Sequence, residues 1–399
     1  MITRFLVFVS LLSIPTTIGM LGRSDKDDKC IISEAEDCSI STFRNDRFTL
    51  VYPGGEARCF ESTPENPNPY FFQVGPGRGD DANKLHIFFQ GGSSCPTTEA
   101  CLDDSDNQPR RSPYVNRGGI FDFEPDSKNP LRDWTQVSIL YCSGDTHLGD
   151  GVLDGVYWKG RNNVRAVRDW IVDNIPRPDR VVLNGCSSGA LGLFYYARSF
   201  LQYFKSVGTP SHGLTVVLDA MTGRSEVEPS LLWNHCSRED YGWTEEQYQR
   251  CLIGNFTRTQ VMEATQAAHR DVPFVFFLYK NDAFLNQQTC ECSQAEFYGQ
   301  HKKALRRYTE LAGSQNNIVS YIINGNFHCL FEFLPDRFFF TRSAVGEPSA
   351  TEFVEMLVTR DGNATIRSSC VPRLNMLSAR NRSIDFGCDD LLKNAVFHG

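Results

Sequence analysis

The run Gly185-Cys186-Ser187-Ser188-Gly189 follows the apolar stretch Arg180–Asn184 and leads into a second apolar stretch, Ala190–Ala197. This pattern specifies a buried strand that turns sharply into a helix, because small residues on both sides of the serine let the backbone bend without a clash. Such a turn lifts Ser187 to the carboxyl end of a sheet and aims helix amides at incoming negative charge. That is where a hydrolase keeps its nucleophile, and the flanking strand and helix separate this run from a chance five-residue match.

Met1 to Met20 carries one basic residue, Arg4, ahead of an apolar run from Phe5 to Ile14, and the charged stretch Arg23–Lys29 follows. The run is too short to cross a bilayer, so residues 1–20 are expected to be a signal peptide cleaved near Gly19 to Leu21, with an N-terminal extension over 21–44. Export agrees with the fourteen cysteines, all beyond residue 29, because an even and high count belongs to an oxidising compartment. Cys290 and Cys292 have one intervening residue and no second close pair with a histidine beside it, so no metal is expected and disulfides account better for the cysteines. Cys236 with Cys251 would close a short excursion, and Cys95 with a nearby cysteine would hold a loop. Sequons at Asn255, Asn363 and Asn381 suit glycosylation of an exported surface.

About 380 residues remain after the leader, enough for one large α/β domain with insertions or for two domains. We expect a single catalytic domain over 45–399, acting as a monomer. A hydrophobic fraction of 41% supports a substantial core, and 48 acidic against 40 basic residues, a net charge of -8, offer no electrostatic reason to bind nucleic acid. No further apolar run reaches membrane-spanning length, and Asn394–Gly399 carries no anchor tail.

Apolar stretches at 85–90, 136–142, 213–220, 272–279 and 317–323 read as strands, and an entry strand region over 48–74 is broken by Pro53-Gly54-Gly55. Arg161 to Asn174 has apolar residues at Val164, Val167, Trp170 and Ile171, the period of a helix on a sheet, and 300–312 reads as another helix. The alternation implies an α/β fold whose mostly parallel sheet carries its ligand loops at the strands' carboxyl ends. Residues 225–256, rich in tryptophan but without a clear period, suggest a lid or side insertion; 103–130 suggests a decorated surface loop. Gly75, Gly77 and Gly79 resemble a dinucleotide turn only superficially, since the preceding strand is weak and no basic clamp follows, so no cofactor is expected.

A serine hydroxyl needs an imidazole to accept its proton and a carboxylate to orient the imidazole. His328, after the stretch 317–323, is the sheet-adjacent histidine, and Cys329 next to it could fix its loop through a disulfide. Asp282 and Asp219 compete for the acid. Asp282, on the loop before the histidine-bearing strand, fits the chain order of sheet hydrolases better, leaving Asp219 to brace the nucleophile loop or border the pocket. Gln90-Gly91-Gly92-Ser93-Ser94 follows a strand and supplies flexible backbone, so the amides of Gly92, Ser93 and Ser188 are assigned to the oxyanion hole. Asp145 and His147 form a polar cluster after another strand and are expected to line the substrate pocket.

These motifs together resemble the pectin acetylesterase and Notum family, secreted carboxylic ester hydrolases of α/β-hydrolase type. The resemblance rests on Phe89–Cys95, Tyr141–Asp150, Asn184–Gly189, the Asp282 region and Gly325–Cys329, and it covers roughly residues 45 to 335. It implies an α/β-hydrolase-like fold with disulfide-bonded insertions, with Ser187 as nucleophile, Asp282 as acid and His328 as base. Family members commonly carry tryptophan where this chain has Ser93, and Ala-Gly-Gly where it has Ser188-Gly189-Ala190. A smaller, more polar pocket wall follows from Ser93. Small O-acyl groups on an extracellular or cell-wall polysaccharide such as pectin therefore rank above the palmitoleoyl group that the animal enzyme removes from Wnt proteins. An inactive carbohydrate-binding glycoprotein is the alternative of a different class.

Overall fold

The central strands are continuous apolar runs: Phe274–Tyr279 and Ile318–Ile323 are buried at every residue, as strands covered on both faces must be. The computed structural model describes residues 28–60, 69–102, 118–223, 233–290, 292–313, 316–331, 341–343, 347–361, 365–370 and 396–398. In chain order the strands are β1 (Asp28–Ile31), β2 (Thr49–Tyr52), β3 (Phe72–Gly75), β4 (Lys84–Phe89), β5 (Thr135–Ile139), β6 (Gly151–Leu153), β7 (Val156–Trp158), β8 (Arg180–Cys186), β9 (Leu214–Asp219), β10 (Phe274–Tyr279), β11 (Ile318–Ile323), β12 (Thr365–Arg367), β13 (Ser369–Cys370) and β14 (Val396–His398). The helices are α1 (Thr98–Leu102), α2 (Gly160–Asn174), α3 (Ser188–Ser206), α4 (Arg238–Tyr241), α5 (Glu245–Leu252), α6 (Arg258–Ala268), α7 (Ala283–Thr289), α8 (Gln294–Ala312) and α9 (Ala350–Thr359).

Ten strands form one sheet in the order β1-β2-β3-β5-β4-β8-β9-β10-β11-β13. Only β3 runs against its neighbours; every other pairing in the sheet is parallel. The expected mostly parallel α/β sheet with disulfide-bonded insertions is therefore present. Phe89, Gly185 and Leu218 lie side by side, as do Asp219 and Phe277. The loops after β4, β8, β9, β10 and β11 thus leave from one edge, where parallel sheets collect ligands. The N-terminal stretch expected as an extension contributes β1, which pairs with β2 and is closed by Cys30–Cys38.

α2 buries Val164, Val167, Trp170 and Ile171, the face expected from its spacing. α8 begins earlier than the apolar pattern suggests, at Gln294, because Ser293 and Glu296 form a reciprocal capping box. The described part of the expected insertion, 233–256, folds into α4 and α5, each started by a capping side chain, Ser237 or Thr244, and is closed by Cys236–Cys251. It lacks an amphipathic period because polar anchors seat it: buried Asp240 accepts from Arg165 at 2.7 Å, and Arg161 donates to the Asn234 and Cys236 carbonyls. Phe60, Cys95, Cys101, Val156, Trp158 and Trp233 form a second small core beneath the loop after β4. The expected signal peptide over 1–20, the sequons at Asn363 and Asn381, and much of the 103–130 loop lie outside the described residues; Asn255 is exposed on the turn after α5.

Candidate active site

Ser187 stands where β8 ends and α3 begins, with φ 53° and ψ −121°, a conformation L side chains rarely adopt. Its neighbours explain why the chain can turn there. A Cβ on Gly185 would lie 2.7 Å from the Gly189 carbonyl carbon, and one on Gly189 would lie 2.0 Å from the Phe89 carbonyl oxygen. Both positions therefore exclude any side chain, and the start of α3 presses directly on the end of β4. The turn is held by Ser187 N donating to the Asp219 carbonyl at 3.0 Å. Thr146, His147, Ala220 and Cys329 also have left-handed backbones and lie on loops at this same edge. Strain gathered at one place is a mark of functional sites.

Ser188, the first residue of α3, donates its hydroxyl to the Gly92 carbonyl and so joins the loop after β4 to the serine turn. A Cβ on Gly92 would meet the Tyr141 ring at 2.4 Å. That tyrosine is buried, which raises its pKa well above the ordinary value, and its hydroxyl accepts from Thr146 N at 2.9 Å. Farther along, Cys95 is bonded to Cys101, and its carbonyl accepts from both Trp158 Nε1 and Trp233 Nε1, at 3.2 and 3.4 Å. The amides of Gly92, Ser93 and Ser188 are thus carried on braced backbone.

Asp282 follows β10 and is buried. Its Oδ1 accepts from Leu285 N at 2.8 Å, capping α7, while its Oδ2 accepts from His328 Nδ1 at 2.6 Å. The loop after β11 is tied to the same segment, since Asn281 N donates to the Gly325 carbonyl at 3.0 Å and Ala283 N to that of Asn326 at 3.3 Å.

Two links bring this histidine loop to the serine turn. Cys186 and Cys329 form a disulfide with 5.9 Å between their Cα atoms, so Ser187 and His328 each sit one residue, about 3.8 Å of chain, from a shared covalent bridge. Asp219 Oδ2 accepts from Leu330 N at 2.7 Å and Phe331 N at 2.9 Å, while its carbonyl holds Ser187. One aspartate therefore grips both loops.

Residues 47–220 match the model of the pectinacetylesterase family. The chain carries a pectinacetylesterase domain. The matched part of this domain contains the loop after β4, the Ser187 turn and Asp219; Asp282 and His328 lie C-terminal to it.

Asp145 and His147, expected to line the pocket, and Asp219, expected to brace the nucleophile loop or border the pocket, are all buried and bonded to neighbouring loop groups. Asp145 accepts from Ser143 Oγ at 2.6 Å, Gly149 N at 3.0 Å and Gly160 N at 2.8 Å, and burial, opposed by those donors, raises its pKa to about 6. His147 Nε2 donates to the Gln90 carbonyl at 2.9 Å, and burial lowers its pKa to about 4. Asp219 is occupied as described. These residues shape the loops, because each satisfies amides or carbonyls that a sharp buried turn would otherwise orphan. Thr222 Oγ1 and His301 Nδ1, 2.8 Å apart and buried, add a further polar contact beside the sheet, joining the loop after β9 to α8.

Sequence reasoning did not find the Cys186–Cys329 pairing or the two amides held by Asp219; residue types alone could not have revealed either. Two clusters have metal-ligating atoms close together among the described residues, His235 with Cys236 and Cys251, and Glu36 with Cys30 and Cys38. In each the cysteines are joined as a disulfide, which removes the thiolates a metal would need.

Proposed function

We propose that this chain is a secreted serine carboxylic ester hydrolase that removes O-acetyl groups from an extracellular or cell-wall polysaccharide such as pectin. One observation carries the reading: the strained Ser187 turn and the Asp282-bound His328 are bridged by the disulfide between their neighbours, Cys186 and Cys329.

In the reaction Asp282 holds Nδ1–H of His328, which leaves Nε2 to accept the proton of Ser187 as its hydroxyl oxygen attacks the ester carbonyl. Negative charge passes to the carbonyl oxygen and is received by the amides of Gly92, Ser93 and Ser188, reinforced by the N-terminus of α3. Collapse of the tetrahedral intermediate breaks the bond to the alcohol, which takes the proton from His328 Nε2. Water then attacks the acyl-serine with the same imidazole as base, releasing acetate and restoring Ser187. Ser93 beside the oxyanion amides leaves a small polar wall, which favours acetyl over long acyl chains. Six disulfides among the described residues support an oxidising compartment, and Asn255, exposed on its turn, is available for a glycan. Among the described residues no helix is long and apolar enough to cross a membrane.

The test is acetate release from acetylated pectin and acetylated xylan, and carboxylate release from ethyl esters of increasing acyl length. Ser187→Ala and His328→Ala are each expected to lower turnover by about 10³-fold or more. Equal release by wild type and Ser187→Ala would overturn the catalytic assignment. Preference for acyl groups beyond about four carbons would replace polysaccharide deacetylation by lipid deacylation.

A further inference from the structure

Phe284 is the sole aromatic among the exposed large apolar side chains of the described residues, 42% exposed, and its ring centroid lies 4.7 Å from that of His328. An apolar ring left in water beside a reactive imidazole is not explained by packing. It is also held in place. Asp282 caps the helix that carries it, buried Leu285 anchors the next position, and Ala283 N is bonded to Asn326 in the histidine loop. Beyond it, Asn286 Nδ2 donates to the Cys292 carbonyl at 2.9 Å and Asn286 Oδ1 accepts from Cys292 N at 3.2 Å, which closes the far end of α7.

The chemistry tells which part of a substrate comes here. The acyl carbonyl must reach Ser187 and the amides of Gly92, Ser93 and Ser188, whereas the departing alcohol oxygen must reach the protonated imidazole of His328. A ring packed against that imidazole therefore borders the alcohol side of the ester and not the acyl side. In a polysaccharide ester the alcohol is a sugar, whose ring offers a flat face of C–H groups to an aromatic surface.

We propose that Phe284 is a specificity-determining residue of the leaving-group side, a platform on which the pyranose ring bearing the ester is stacked. This rests on the esterase reading. The preformed position of the ring means that the sugar is oriented without a loop having to be ordered, so the contact serves binding of the alcohol part more than the chemical step.

The experiment compares the wild-type full chain with Phe284→Ala, Phe284→Leu and Phe284→Trp on acetylated oligogalacturonide, ethyl acetate and ethyl butyrate. For Phe284→Ala a rise in KM of about 5- to 10-fold is expected on the oligosaccharide with kcat nearly unchanged, while kcat/KM on ethyl acetate stays within about twofold. Phe284→Leu should resemble the alanine variant, because bulk without a flat ring does not stack, and Phe284→Trp should restore wild-type KM. An unchanged oligosaccharide KM in the alanine variant, or a changed ratio of ethyl butyrate to ethyl acetate turnover, would overturn the platform and move Phe284 to the acyl side or to a structural role. Absence of Ser187-dependent ethyl acetate hydrolysis in the wild type would overturn the esterase reading itself, and the platform with it.

Discussion

The Ser187 turn and the His328 loop arrive at the same edge of the sheet by different means. The serine turn is made from its own residues: two glycines with no room for a Cβ, one left-handed serine, and a helix that starts at once. The histidine loop owns little of its geometry. Asp282 from the preceding segment orients its imidazole, Cys186 from β8 pins its next residue, and Asp219 from β9 holds the two amides after that. The serine turn is built by local steric necessity, whereas the histidine loop is placed by the tertiary structure.

The largest effect should come from breaking the local half. Gly189→Ala places a Cβ against the carbonyl of Phe89, a backbone atom that cannot step aside. We expect more than about 3 kcal/mol of lost stability and little folded protein, read by a thermal melt monitored in the near ultraviolet. A stable, active Gly189→Ala enzyme would show that the turn is not set by that contact.

Breaking the borrowed half should be gentler and leave the fold standing. Asp219→Ala orphans the amides of Leu330 and Phe331, each costing about 1–3 kcal/mol when buried and unpaired, and frees the loop next to His328. Turnover of ethyl acetate should fall by about 10²-fold in a protein that still melts cooperatively. Asp219→Asn, which keeps an acceptor oxygen, should recover much of it. If the alanine variant keeps wild-type kcat, the disulfide alone positions the loop.

The smallest effect is graded and comes with acid. His86, His147 and His269 have pKa values lowered mainly by burial to about 3, 4 and 4. The unfolded chain, whose histidines titrate near their ordinary 6.5, binds protons that the folded chain refuses, so these groups stabilise the fold above pH 6.5 and that contribution is lost as pH falls through 3–4. Asp145, raised to about 6, acts with opposite sign, since its folded form takes up a proton first as pH falls. Three groups against one predict a falling urea midpoint between pH 6.5 and pH 4. A midpoint that rises over this interval would contradict the assignment. His147 lies beneath α3, close to the position a Cβ of Gly192 would take, so its protonation in acid would bear on the start of that helix.

The same contrast explains what could be read in the sequence. The sheet was legible because each central strand is an unbroken apolar run, and Ser187 was legible because its constraint lies within five residues. The capping box that starts α8 was present as Ser293 and Glu296 but is outweighed by apolar spacing unless caps are sought first. Pairing of Cys186 with Cys329 was not legible, because nothing in a list of cysteines says which two the fold brings together. The amides that Asp145 binds were not legible for a related reason: a carboxylate that binds amides in a buried turn and one that faces a ligand leave the same letter in the chain.

The bridge between Cys186 and Cys329 encloses 143 residues of chain, and its influence extends to the denatured ensemble. In the chain-entropy account, closing a ring of that size removes about 5 kcal/mol worth of unfolded freedom. A heated molecule whose sulfurs stay joined therefore never fully separates the ends of β8 and β11. On cooling, one of the long-range encounters of refolding, across 143 residues, has already been made.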